Sequence, residues 1–228
     1  MKLIDRPDYL NKLASLKGSP DIKVITGIRR AGKSKIMLAF IDFIKKNEPN
    51  SNIIYIDFTK LKYESLKEYH TLNSYVEEHK VTGKTNYLMI DEVQLCNNFE
   101  IAVNSLHSSE EYDIYLTGSN AFMLSTDLAT LFTGRHIEIQ VFPFSFIEYC
   151  KYYNVLDNKQ EAFDKYVIEG GLSGSYVYEQ SRDKETYIRK VYNTILTRDL
   201  TEKYNFADTP VLLHLAEYRN KICSIRPS

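Results

Sequence analysis

The tract Gly27-Ile28-Arg29-Arg30-Ala31-Gly32-Lys33-Ser34 constrains this chain more than any other part of it. It fills every fixed position of G-x-x-x-x-G-K-[ST], the phosphate-binding loop pattern. Two glycines let the backbone curl until successive N–H groups point inward at an anion. Lys33 is expected to reach the outer phosphates of a nucleotide and the Ser34 hydroxyl to ligate Mg²⁺. Residues 21–26 read as a short buried strand and residues 35–44 as an apolar helix. Strand, loop and helix in that order aim a helix N-terminus at a polyphosphate. A plain glycine turn in that place would leave Lys33-Ser34 unexplained.

The alternation continues downstream. An opening helix over 6–16, with Leu10, Leu13 and Leu16 at helical spacing, is stopped by Lys17-Gly18-Ser19-Pro20. Strands are expected at 22–26, 52–58, 86–91, 113–117 and 135–142, and helices at 33–46, 65–80, 99–107 and 121–131. Near-continuous apolar strands alternating with helices predict an α/β fold, a parallel sheet with helices on both faces. After Pro143 the pattern becomes helical, with segments at 144–154, 159–168 and 184–204 broken by Glu169-Gly170-Gly171-Leu172-Ser173-Gly174. This divides the chain into a sheet-based core over 1–143 and a helical region over 144–228. Val211-Leu212-Leu213-His214-Leu215-Ala216 starts an apolar helix that the last ten residues do not finish, so the second region is expected to be incomplete.

Composition narrows the function classes. The longest apolar runs are strand-sized, so no membrane span is expected, and no signal-peptide core follows the first residues, which points to the cytoplasm. Cys96, Cys150 and Cys223 form no C-x-x-C pair, and with five scattered histidines they give no metal-ligand spacing. Residues 1–50 hold 11 Lys/Arg against 5 Asp/Glu, whereas residues 51–150 hold 6 against 14. The basic excess surrounds the glycine loop and suits nucleotide phosphates, while leaving nucleic-acid binding undecided.

Tyr87-Leu88-Met89-Ile90-Asp91-Glu92 is a four-residue apolar strand ending in two carboxylates. An acid at the carboxyl end of a buried parallel strand lies where such sheets bind ligands. Asp91 is the expected Mg²⁺ partner, and Glu92 the residue that orients and polarises an attacking water. The strand at 113–117 runs into Gly118-Ser119-Asn120, where Thr117, Ser119 and Asn120 are candidates to bond the γ-phosphate or the water. Asn120 equally suits capping the next helix. Arg135, in Thr133-Gly134-Arg135, is a candidate arginine finger, in its own chain or on a neighbour's nucleotide. Arg29 and Arg30, within the loop, either touch phosphate or face solvent. No Asn-Lys-x-Asp motif for guanine recognition occurs.

Gly27–Ser34, Tyr87-Leu88-Met89-Ile90-Asp91-Glu92-Val93, Leu116-Thr117-Gly118-Ser119-Asn120, Thr133-Gly134-Arg135 and Pro143-Phe144-Ser145-Phe146 together resemble the bacterial and archaeal AAA-type ATPases that carry a C-terminal domain of unknown function. Arg6 and Tyr9-Leu10 fit that family's opening helix; Tyr166, Gly170-Gly171 and Arg198-Asp199-Leu200 fit the start of its C-terminal region. The resemblance implies strand order 5-1-4-3-2, with the 113–117 strand between the P-loop strand and the Asp91 strand. It also implies ATP with Mg²⁺ as ligands, hydrolysis coupled to a DNA or protein partner, and a homo-oligomer if Arg135 acts between copies. The alternative is a nucleotide-binding switch or scaffold with little hydrolysis. Two departures stand out: Leu172-Ser173 where the family often has proline, and the absence of the family's later sections, which suggests truncation.

Overall fold

The computed structural model describes residues 4–118 and 130–200. Its core is a five-stranded parallel sheet: β1 (Ile22–Thr26), β2 (Asn52–Asp57), β3 (Asn86–Asp91), β4 (Tyr112–Thr117) and β5 (His136–Gln140). The strand order is β2-β3-β4-β1-β5, the order expected, with β4 between β1 and β3. Because every pairing is parallel, Thr26, Asp57, Asp91 and Thr117 all end at one edge.

β1 and β3 are buried along their whole length, which is why they read as unbroken apolar runs. Alternate residues feed two cores. Ile22, Val24, Leu88, Ile90, Ile114 and Leu116 pack beneath α3 (Tyr69–Glu78) and α4 (Phe99–Ser108). Ile25, Tyr87, Met89 and Tyr115 pack on the other face, against α1 (Pro7–Ser15) and α2 (Lys33–Asn47). Lys23 is fully buried among the second set and is neutralised by Asp113, 2.7 Å away.

One expected helix is divided. Residues 65–66 of that segment end a 3₁₀ helix that begins earlier, Leu61–Leu66, and α3 starts only at Tyr69. Glu68 is extended between them and bridges to Asn97, whose amide donates to the Lys67 carbonyl at 2.8 Å. That long-range pairing competes with the helical φ/ψ that local propensity favours.

After Pro143 come α5 (Phe146–Tyr153), α6 (Lys159–Glu169) and α7 (Ser181–Thr194), which relaxes into a π-helical turn over Ile195–Leu200. Ser145 starts α5 two residues later than expected through a reciprocal capping box with Glu148. The tyrosine richness is concentrated here: the rings of Tyr149, Tyr152, Tyr153 and Tyr166 surround or adjoin Tyr176 with centroids 4.7–5.4 Å apart. A Cβ on Gly171 would meet the Phe144 carbonyl oxygen at 2.3 Å, so the Gly-Gly pair is a close crossing of two backbones. The expected helix at 121–131 and the tract at 211–216 lie, the first largely and the second wholly, outside the described residues.

Candidate functional site

The glycine loop leaves β1 at Thr26 and enters α2 at Lys33. Gly27 has φ +143°, and a Cβ there would lie 2.2 Å from the Val141 carbonyl oxygen. The Val141 amide donates to the Thr26 carbonyl at 2.8 Å, which ties the two segments together. Left-handed φ at Arg30 and Gly32 then turns the chain into α2, whose first amides have no intrahelical acceptor. Ile28 and Ala31 complete the loop, with the Ala31 amide donating to the Ile28 carbonyl at 3.1 Å. Lys33 is buried, and its ammonium donates to the carbonyls of Gly27 at 2.8 Å and Ile28 at 3.3 Å.

The fold brings Ser34 and Asp91 together across 57 residues: the Ser34 hydroxyl donates to Asp91 Oδ1 at 3.0 Å. Thr117, from the strand between, donates its hydroxyl to the same oxygen and accepts the Glu92 amide at 2.9 Å. One fully buried hydroxyl thus meets both the Asp91 carboxylate and the Glu92 backbone. Burial pushes the Asp91 carboxyl above its ordinary range, the Thr117 and Ser34 bonds oppose that, and Glu92 and Asp57 add to it. Asp57 is the register partner of Asp91 on β2. Burial raises the Asp57 carboxyl too, but bonds from Thr59 and Lys60 leave it below its usual range.

Glu92 has left-handed φ and ψ of 55° and 50°, uncommon for a residue with a Cβ. It opens a one-turn 3₁₀ helix, Val93–Leu95, and its carboxylate accepts from Gln94 Nε2. Lys33, Ser34, Glu92 and Gln94 line one cleft of about 500 Å³, together with Arg29, Arg30 and Thr59. Its remaining wall comes from the helical region, through Ser173, Gly174 and Tyr187. A larger hollow of about 750 Å³ lies at the opposite sheet edge, around Asn86, Tyr112 and Asp113, and contains none of the loop residues.

Arg6, which spacing alone gave no chemical role, is the bracket of the site. Its buried guanidinium donates to the Ala31 carbonyl in the loop at 3.1 Å and to the Phe142 carbonyl after β5 at 2.9 Å. It also pairs with Glu148 at 2.6 Å and lies over the Tyr9 and Phe144 rings. The closing partners are 136 and 142 residues away, a separation no local pattern reveals.

Arg135 is placed elsewhere. Its carbonyl accepts the Ile22 amide at the start of β1, so it is exposed at the sheet edge opposite the loop. The intervening strand spans roughly 13 Å, which removes Arg135 from the cleft of its own chain. Ser119 and Asn120 lie outside the described residues, as does Cys223.

The oxygen-only pair Ser34 and Asp91 fits a hard cation such as Mg²⁺, which takes few protein ligands and keeps its waters. Among the described residues no group of three or more His, Cys, Asp or Glu could hold a metal by itself. Burial pushes the Cys96 thiol up to about 12, which makes it inert as a nucleophile. No helix among the described residues is long and apolar enough to cross a membrane.

A parallel α/β sheet with a glycine loop before α2 and acids at the carboxyl edge defines the P-loop class. The model of a family described as an AAA domain matches residues 19–150, more than half of the chain, and the chain belongs to that family of AAA-type P-loop ATPases. It is 33% identical over 216 residues to an uncharacterized protein of Haemophilus influenzae, covering 92% of this chain and 54% of that one. It is 25% identical over 218 residues to one from Methanocaldococcus jannaschii, covering 90% and 48%. The chain thus spans about half the length of these relatives. In fold it is similar to AMPPCP-bound DnaA from Aquifex aeolicus (TM-score 0.50, 18% identity, 99% of this chain and 73% of that one). It is also similar to the replication initiator DnaA bound to AMPPCP and single-stranded DNA (TM-score 0.54, 16% identity, 94% and 86%).

Proposed function

We propose that the cleft binds MgATP and hydrolyses it, with Gly27, Ile28, Arg29, Arg30, Ala31, Gly32, Lys33 and Ser34 cradling the phosphates. The observation that supports this most is the Ser34–Asp91 contact beside Glu92, because it gathers loop, acid and base from distant segments at one sheet edge. Ser34 and Asp91 would hold Mg²⁺, which when bound neutralises phosphate charge. Lys33 would exchange its loop carbonyls for the β- and γ-phosphate oxygens. Glu92 takes a proton from water as the water oxygen bonds to the γ-phosphorus. The bond from that phosphorus to the β-phosphate oxygen breaks, and ADP leaves with its electron pair.

Residues 1–143 form the ATPase core in this reading, and 144–228 begin a second region that lids the cleft. Tyr187 and Ser173 in the cleft wall support the lid assignment. The conformational change then acts on a DNA or protein partner; Asn120 is the proposed γ-phosphate sensor, and Arg135 reaches nucleotide only from a neighbouring copy. Lys33→Ala should abolish binding of a fluorescent ATP analogue, whereas Glu92→Gln should bind it with near-native affinity. Equal affinity in the Lys33→Ala protein would remove the loop from the account.

A further inference from the structure

Gln94 is a polar side chain of the cleft that belongs to neither the loop nor the metal pair. Its Nε2 donates to Glu92 Oε2. Chemistry fixes that orientation, because a carboxylate only accepts and the amide carbonyl turned towards it would repel it. The amide oxygen Oε1 is therefore the atom left facing elsewhere, and it is buried with no hydrogen-bond partner. Oε1 is shielded from solvent, so the amide meets Glu92 through Nε2.

The backbone supports the same arrangement. The left-handed turn at Glu92 reverses the chain so that residue 94 curls back onto the carboxylate of residue 92. Val93 between them is fully buried, and the Leu95 amide closes the turn on the Glu92 carbonyl at 3.0 Å. Thr117 holds the Glu92 amide from the other side. Glu92 is thus tied at its backbone by Thr117 and at one carboxylate oxygen by Gln94, which leaves its other oxygen to meet a water.

We propose that Gln94 is a positioning residue for Glu92: its amide fixes Oε2 so that Oε1 takes the proton of the attacking water. This rests on the hydrolytic reading above.

The test is a double-mutant cycle. Gln94→Met keeps the length and packing of the side chain and removes both hydrogen-bonding atoms; Gln94→Ala checks that the result does not depend on methionine. Steady-state phosphate release is measured beside affinity for a fluorescent ATP analogue. We expect kcat to fall about 10- to 100-fold in both variants while nucleotide affinity stays within about threefold. In the Glu92→Gln background, adding Gln94→Met should slow turnover no further, because Gln94 acts through Glu92. Wild-type turnover in both Gln94 variants, with Glu92→Gln slow, overturns the proposal and leaves the hydrolytic reading standing. So does faster turnover, which would make the bond a restraint on Glu92, or an equal loss in both backgrounds. Unimpaired turnover in Glu92→Gln itself would instead remove the hydrolytic reading.

Discussion

Gly27 shows how much a single position in this loop carries. Its φ of +143° is open to glycine, and its missing Cβ is what lets the Val141 carbonyl approach. Gly27→Ala is therefore expected to lower unfolding stability by roughly 2–4 kcal/mol, from backbone strain together with a clash against the Val141 backbone. Urea denaturation of the two proteins checks this; a change within about 0.5 kcal/mol would mean that the loop relaxes freely. That the loop, Asp91 and Glu92 meet at one sheet edge was legible in sequence, because a glycine loop before a helix and a strand-terminal acid are local patterns. Gln94 was not, since its part depends on the left-handed φ of Glu92, which spacing does not reveal. Thr117 was legible only as a sensor candidate, while the structure gives its hydroxyl to Asp91 and the Glu92 amide.

Among elements, the pair Arg6–Glu148 joins α1, the loop and α5. Burial opposes the Glu148 anion, but the bonds from Arg6 and Ser145 outweigh it and hold the carboxyl below its ordinary 4.5. A carboxylate depressed in the folded state adds stability that is complete above the unfolded value and lost as pH falls through the folded one. Melting temperature should therefore drop as pH falls below about 4.5, and Glu148→Gln should flatten that part of the profile. Parallel profiles for the two proteins would show that the pair contributes nothing. Element types along the sheet were legible because burial on both faces gives continuous apolar strands. The break between the 3₁₀ turn and α3 was not, because it comes from the Glu68–Asn97 bridge.

At the scale of the whole molecule, the strand order places the loop, Asp91 and Thr117 on one edge and Arg135 on the other. A single copy then has no arginine finger from that position. If copies assemble edge to edge, Arg135→Ala and Lys33→Ala proteins should each fail to turn over alone, and mixing them should restore part of the activity. One then supplies an intact loop and the other an intact arginine. Native turnover by Arg135→Ala at every protein concentration would end that role. This division was beyond the sequence, which left Arg135 equally able to act in its own chain or in a neighbour. Most direct of all is steady-state phosphate release from the purified protein with Mg²⁺ and ATP, with and without DNA, beside Glu92→Gln. We expect Mg²⁺-dependent release by the native chain and a loss of about 100-fold or more in Glu92→Gln with ATP binding retained. ATP binding without release in either condition, or native release from Glu92→Gln, would contradict that expectation.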